Sequence, residues 1–133
     1  MMQSKLLSTI IIITLSLATL SCRYAKNKCE DVKTGKFKLT TVETGTSYIT
    51  RSKTHQTEVN EQFNYEAKFD IVWLDGCTYE LRNKQFISGP EIFRGVKGDV
   101  VTIEILDVND NTYSVRTYIK SSDFVVEREI EIL

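Results

Sequence analysis

Between residues 63 and 73 the chain alternates: Phe63, Tyr65, Ala67, Phe69, Ile71 and Trp73 are apolar, while Asn64, Glu66, Lys68 and Asp70 fall between them. A period of two puts the two sets on opposite faces of a strand and cannot make one stripe along a helix. The segment is therefore a half-buried strand, which needs partners. Asp75-Gly76 follows, and then Cys77, Tyr79 and Leu81 alternate with Thr78, Glu80 and Arg82, so a tight Asp-Gly hairpin turn between two strands is expected.

The same pattern predicts strands near 35–42 (Phe37 and Leu39 inward), 99–108 (Val101, Ile103, Ile105), 113–119 and 124–132, with a turn at Asn109-Asp110-Asn111. Segments 46–53 and 55–61 read as strands with weaker alternation. One Pro and six Gly are few breakers, and no stretch reads as a helix. The expectation is an all-β domain of about eight antiparallel strands in an up-and-down meander, closed or nearly closed into a small barrel. An open or two-layer sheet is the alternative. Phe37, Tyr65, Phe69, Trp73, Tyr79 and Tyr113 fall on inward faces, which predicts a filled interior. Residues 83–98 break the pattern with Gly89-Pro90, Gly95 and Gly98, yet contain Phe86, Ile87, Ile92, Phe93 and Val96. They read as a long apolar loop, with Phe86 and Phe93 docked over one end of the barrel.

Ahead of this domain, Lys5 precedes an apolar run from Leu6 to Leu20. It is shorter than the ~20 residues a bilayer core needs and has the character of a signal-peptide core. It ends in Ser21-Cys22, which resembles a bacterial lipobox, although Thr19 stands where Leu is usual; ordinary cleavage of a secreted protein after Ser21 is the alternative. The expected organisation is a signal peptide over 1–21, a lipidated Cys22 with a tether over 22–34, and one β-domain over 35–133. From Arg23 to Lys38 six basic residues (Arg23, Lys26, Lys28, Lys33, Lys36 and Lys38) stand against Glu30 and Asp31, so the tether and the first residues of the domain are basic, as a solvated linker or as a segment lying on anionic headgroups. With Cys22 lipidated, Cys29 and Cys77 remain as an even pair in an oxidising compartment, predicting a disulfide; two free thiols or a metal site are the alternatives. Arg23 after the lipidated Cys suggests the outer membrane, and the lack of an adjacent acidic cluster favours its periplasmic face over the cell surface.

The run from Cys29 to Phe37, Thr50-Arg51, Gln56-Thr57-Glu58, and the run from Trp73 to Leu81 together resemble a group of small Bacteroidetes lipoproteins often labelled DNA topoisomerase IV. The likeness covers most of the chain after Cys22 and implies no established activity. The label is physically untenable: a formal charge of −1 gives no DNA-tracking surface, and there is no Gly-rich nucleotide loop.

Chemistry is sparse. His55 is the only imidazole and stands in a polar context without a nucleophile motif. Asp107-Val108-Asn109-Asp110-Asn111 begins like a calcium loop, but Thr112 and Tyr118 replace its Gly and Glu. Glu127, Glu129 and Glu131 line one face of the last strand, read as solvated. Arg128 is the odd residue on the other face; it either plugs a barrel end, stacked on Trp73 or paired with a carboxylate, or stands as an inward edge charge. Trp73, Arg128, Phe86 and Phe93 are the candidate ligand or structural residues; no catalytic set, metal site or cofactor is read. The expected function is a non-enzymatic, monomeric, lipid-anchored envelope domain that binds a partner protein or surface glycan and no nucleic acid. A lipocalin-like carrier of a small apolar ligand is the alternative.

Overall fold

A computed structural model of the chain describes residues 28–133; the expected signal peptide and Cys22 lie outside them. The strands are β1 (Gly35–Thr41), β2 (Gly45–Arg51), β3 (His55–Asn60), β4 (Tyr65–Trp73), β5 (Thr78–Ser88), β6 (Val101–Val108), β7 (Thr112–Ile119) and β8 (Val125–Ile132). Each pairs antiparallel with the next, and β8 returns to β1, so the meander closes into an eight-stranded barrel. The closing seam is short, with Phe37 opposite Ile132 and Lys38 opposite Glu131. Closure removes the unpaired edges that an open sheet would expose.

Two local expectations are corrected. The β4–β5 connection spans four residues, 74–77, rather than a two-residue Asp-Gly turn. Gly76 does not adopt a positive φ. The Asp75 carboxylate turns the chain instead, accepting from the Cys77 N–H at 2.8 Å. The second correction concerns residues 83–88, expected in a loop: they belong to β5 and pair with β4. Two register shifts lie in this pairing, and Asn83, at φ 48–51° like Asn64, sits within one of them (φ 51°). Each irregularity resets which face the next side chain takes, so period two is lost although the strand continues.

The interior has two halves. At one end, short of Gly35, the chain makes a helical turn over residues 28–30 and inserts Val32, which is wholly buried, into the barrel. Residues 29–33 thus pack as part of the folded unit rather than as a free tether. The Cys29–Cys77 disulfide, with Cα atoms 5.3 Å apart, fastens this plug to the β4–β5 turn. Phe37 packs edge-on against Tyr113 at 5.3 Å, and Trp73 against Tyr79 at 4.7 Å. The other half is open.

Candidate ligand-binding cavity

A cavity of about 920 Å³ occupies the open half, so the expectation of a filled interior holds at only one end. Its wall is largely apolar, with Leu39, Ile49, Phe69, Leu81, Ile103 and Val115 among its residues. The cause lies in β5, which pairs with β6 only from Thr78 to Leu81. Beyond Leu81 it leans on β4 alone, and the chain returns to β6 through the loop after Ser88, which forms a side of the mouth. That loop does not seal the barrel. Ile87, Ile92 and Val96, which sequence patterning placed out of solvent, are exposed, Ile92 at 85%.

Polar groups enter from β2 and β3. On β3 the inward residues are Gln56, Glu58 and Asn60, a strand whose inner face is wholly polar. On β2 the inward Arg51 is 3% exposed. Its guanidinium donates to Gln56 Oε1 at 2.8 Å, the Val32 carbonyl at 2.7 Å, the Tyr79 hydroxyl at 2.8 Å and the Tyr113 hydroxyl at 3.0 Å. It also lies over the rings of Phe37 and Tyr79, at 4.7 and 4.8 Å. Four of its five N–H groups thus have acceptors, and a buried cation is tolerable only with such extensive pairing. Burial pushes the Tyr79 and Tyr113 hydroxyls above their ordinary range, against the pull of Arg51.

Because Gln56 accepts from Arg51 through Oε1, its amide nitrogen is turned towards Glu58 and donates to Oε1 of that carboxyl at 2.8 Å. Glu58 faces the cavity without an ion pair among the described residues. Withdrawal from water raises its pKa, while the Gln56 hydrogen bond and the Lys84 and Arg51 charges work the other way. Lys84, on β5, has its pKa lowered by the same withdrawal, and Glu58 opposes that shift. Its ammonium donates to the Phe93 carbonyl and lies over the Tyr65 ring at 5.3 Å, tying the loop to the barrel.

The rim is basic. Lys84, Arg94, Lys97 and Arg128 line the cavity, with Glu58 and Asp99 as its carboxylates. Asp99 is engaged by the Ser121 hydroxyl at 2.6 Å and by two backbone N–H groups. Arg94 is paired with Glu91 at 2.9 Å and lies over Phe86 at 4.4 Å. Neither Lys97 nor Arg128 has a carboxylate partner among the described residues; Arg128 donates only to the Glu127 carbonyl, at 3.3 Å.

The four residues singled out from the sequence separate. Arg128 and Phe86 line the cavity. Phe93 packs beside it, edge-on to Phe63 at 5.2 Å and to Tyr65 at 5.6 Å. Trp73 lies in the plugged half, under the Lys33 ammonium at 4.8 Å, so Arg128 does not stack on it. The pairing of Arg128 with a carboxylate is likewise absent among the described residues. Glu127 and Glu131 face outward and pair with Arg116 and Lys38. His55 is exposed beside Asp70, at 3.4 Å. Sequence reasoning gave no role to Arg51, Gln56, Glu58 or Lys84. The available signal was the weak alternation of segments 46–53 and 55–61, which arises because their inward positions carry polar side chains. No family model, curated protein or solved structure matches the chain.

Proposed function

We propose that this chain is a non-enzymatic, lipid-anchored envelope domain, held on the periplasmic face of the outer membrane, whose barrel carries a small ligand with an apolar body and an acidic group. The cavity carries this reading: about 920 Å³ of mostly apolar space opening through a rim with two cations, Lys97 and Arg128, that have no carboxylate partner among the described residues. Space of that size suits a small molecule, and apolar walls with a few convergent polar groups are what such sites usually offer. Recognition of a partner protein or glycan by the outer surface would leave the cavity without a role, and the cavity is what favours a carried ligand. The lipid anchor is supported by the Leu6–Leu20 run ending in Ser21-Cys22.

The test is calorimetric titration of the full chain with dodecanoate, against a Thr117→Trp variant. Thr117 lines the cavity and is only partly buried, so an indole there occupies ligand space while the hydrogen-bonded core is left intact. Saturable micromolar binding, weakened about tenfold or more in the variant, is the expected outcome, corresponding to ~1.4 kcal/mol. Absence of binding to the parent, or equal binding to both, refutes the carrier reading. Trp73 does not line the cavity and meets it only through the Tyr79 ring, so its fluorescence is an indirect reporter here.

A further inference from the structure

The rim cations indicate where an acidic group sits, and the inner wall restricts what the other end of the ligand carries. The hydrogen-bond sequence runs from Arg51 through Gln56 to Glu58. Arg51 commits four of its five N–H groups, and Gln56 uses its oxygen on Arg51 and an amide N–H on Glu58. Glu58 Oε1 is thereby held in place, while Oε2 has no hydrogen-bond partner among the described residues. Lys84, which also lines the cavity, makes its hydrogen bond to the Phe93 carbonyl, and Glu58 has no ion pair among the described residues. An acceptor oxygen thus faces a largely apolar cavity with no donor from the protein, and a ligand that fills the cavity either supplies one or leaves it unpaired at a cost.

We infer that Glu58 is a specificity-determining residue, accepting a hydrogen bond from a hydroxyl or ammonium group at the inner end of an apolar ligand whose acidic group lies at the rim. The inference rests on the carrier reading and deepens it: the preferred ligand is amphipathic at both ends. Gln56 and Arg51 also line the cavity, and through their hydrogen bonds they act as positioning residues that fix the acceptor.

Three probes of equal chain length test this on the full chain: dodecanoate, ω-hydroxydodecanoate and ω-aminododecanoate. An apolar wall alone ranks the parent acid first, because burying a polar end group without a partner costs affinity. With Glu58 as acceptor, the hydroxy and amino acids bind about tenfold tighter than the parent. Glu58→Leu restores the order of the apolar wall. Glu58→Gln, the closest in shape, keeps an acceptor for the hydroxyl but loses the preference for the ammonium, and it answers the question should the leucine variant not fold. Parent acid binding as tightly as the other two, or a ranking unmoved by either variant, overturns the inference while leaving the carrier reading standing. Failure of all three probes to bind overturns both.

Discussion

The two halves of this barrel solve the same problem in opposite ways. Both must place polar side chains on the inside of a sheet that is otherwise apolar. In the plugged half, Arg51 is surrounded until its guanidinium has four acceptors and three aromatic rings, and the Val32 plug supplies one of those acceptors. In the open half, among the described residues, Glu58 retains an oxygen without a hydrogen-bond partner, and Lys97 and Arg128 retain charges without a carboxylate. The plugged half is not free of unpaired polar atoms, since the buried Trp73 Nε1 has no hydrogen-bond partner among the described residues; the contrast lies in the charged groups, which serve the fold where they are surrounded and are open to a ligand where they face the cavity unpaired. The comparison predicts that substitutions in the plugged half cost stability, whereas those in the open half change binding.

The largest effect is expected from opening the plug. The Cys29–Cys77 disulfide spans 48 residues, for which loss of the chain constraint corresponds to about 4 kcal/mol. Cys29→Ser with Cys77→Ser should lower stability by roughly 2–5 kcal/mol in denaturant unfolding. A loss below ~1 kcal/mol would mean that the plug is held by Val32 and Arg51 without the covalent tie.

Arg51→Met comes next. It keeps most of the side-chain volume and removes the desolvated charge, which offsets part of the loss. It also leaves the Val32 carbonyl, two tyrosine hydroxyls and Gln56 short of a partner, at about 1–3 kcal/mol for each buried group left unsatisfied. A net loss of about 3 kcal/mol is expected, with a secondary loosening of Glu58 as Gln56 becomes free to turn. A stability equal to the parent would show that the guanidinium is an expendable core charge and would dissolve the contrast between the halves.

The same contrast explains what could be read from the sequence. β4, β6 and β7 were legible because their inner faces are apolar, and period-two patterning reports inner faces. The closed barrel followed from counting such strands. β5 was cut short because its two register shifts and the left-handed Asn83 scramble the period while the backbone pairing continues. The site was hidden for a related reason: Arg51, Gln56 and Glu58 are inward, so they remove the alternation by which their strands would be recognised. Arg128 was noticed because it interrupts a clean apolar face, whereas Glu58 interrupts a face with no apolar residue to set it off. The cavity arises from the short β5–β6 pairing, a long-range property that residue patterning cannot express.

The smallest expected effect has the opposite sign, and so discriminates best. Burial raises the Glu58 pKa in the folded chain above the 4.5 of an ordinary glutamate. When pH climbs past 4.5 the unfolded chain releases this proton first, so unfolding draws on a free-energy difference that grows until the folded group also ionises. The stability contributed by the protonated carboxyl is present in full below 4.5 and is lost as pH rises through the higher folded pKa. Glu58→Gln carries no such dependence. At pH 7 it should therefore be more stable than the parent, by no more than about 1 kcal/mol, and the advantage should fade as pH falls towards 4.5. Thermal unfolding of both proteins across that range measures it. A carboxyl retained against stability is expected of a group kept for binding; a variant that is less stable at pH 7 would instead make Glu58 a structural member of the Arg51 network.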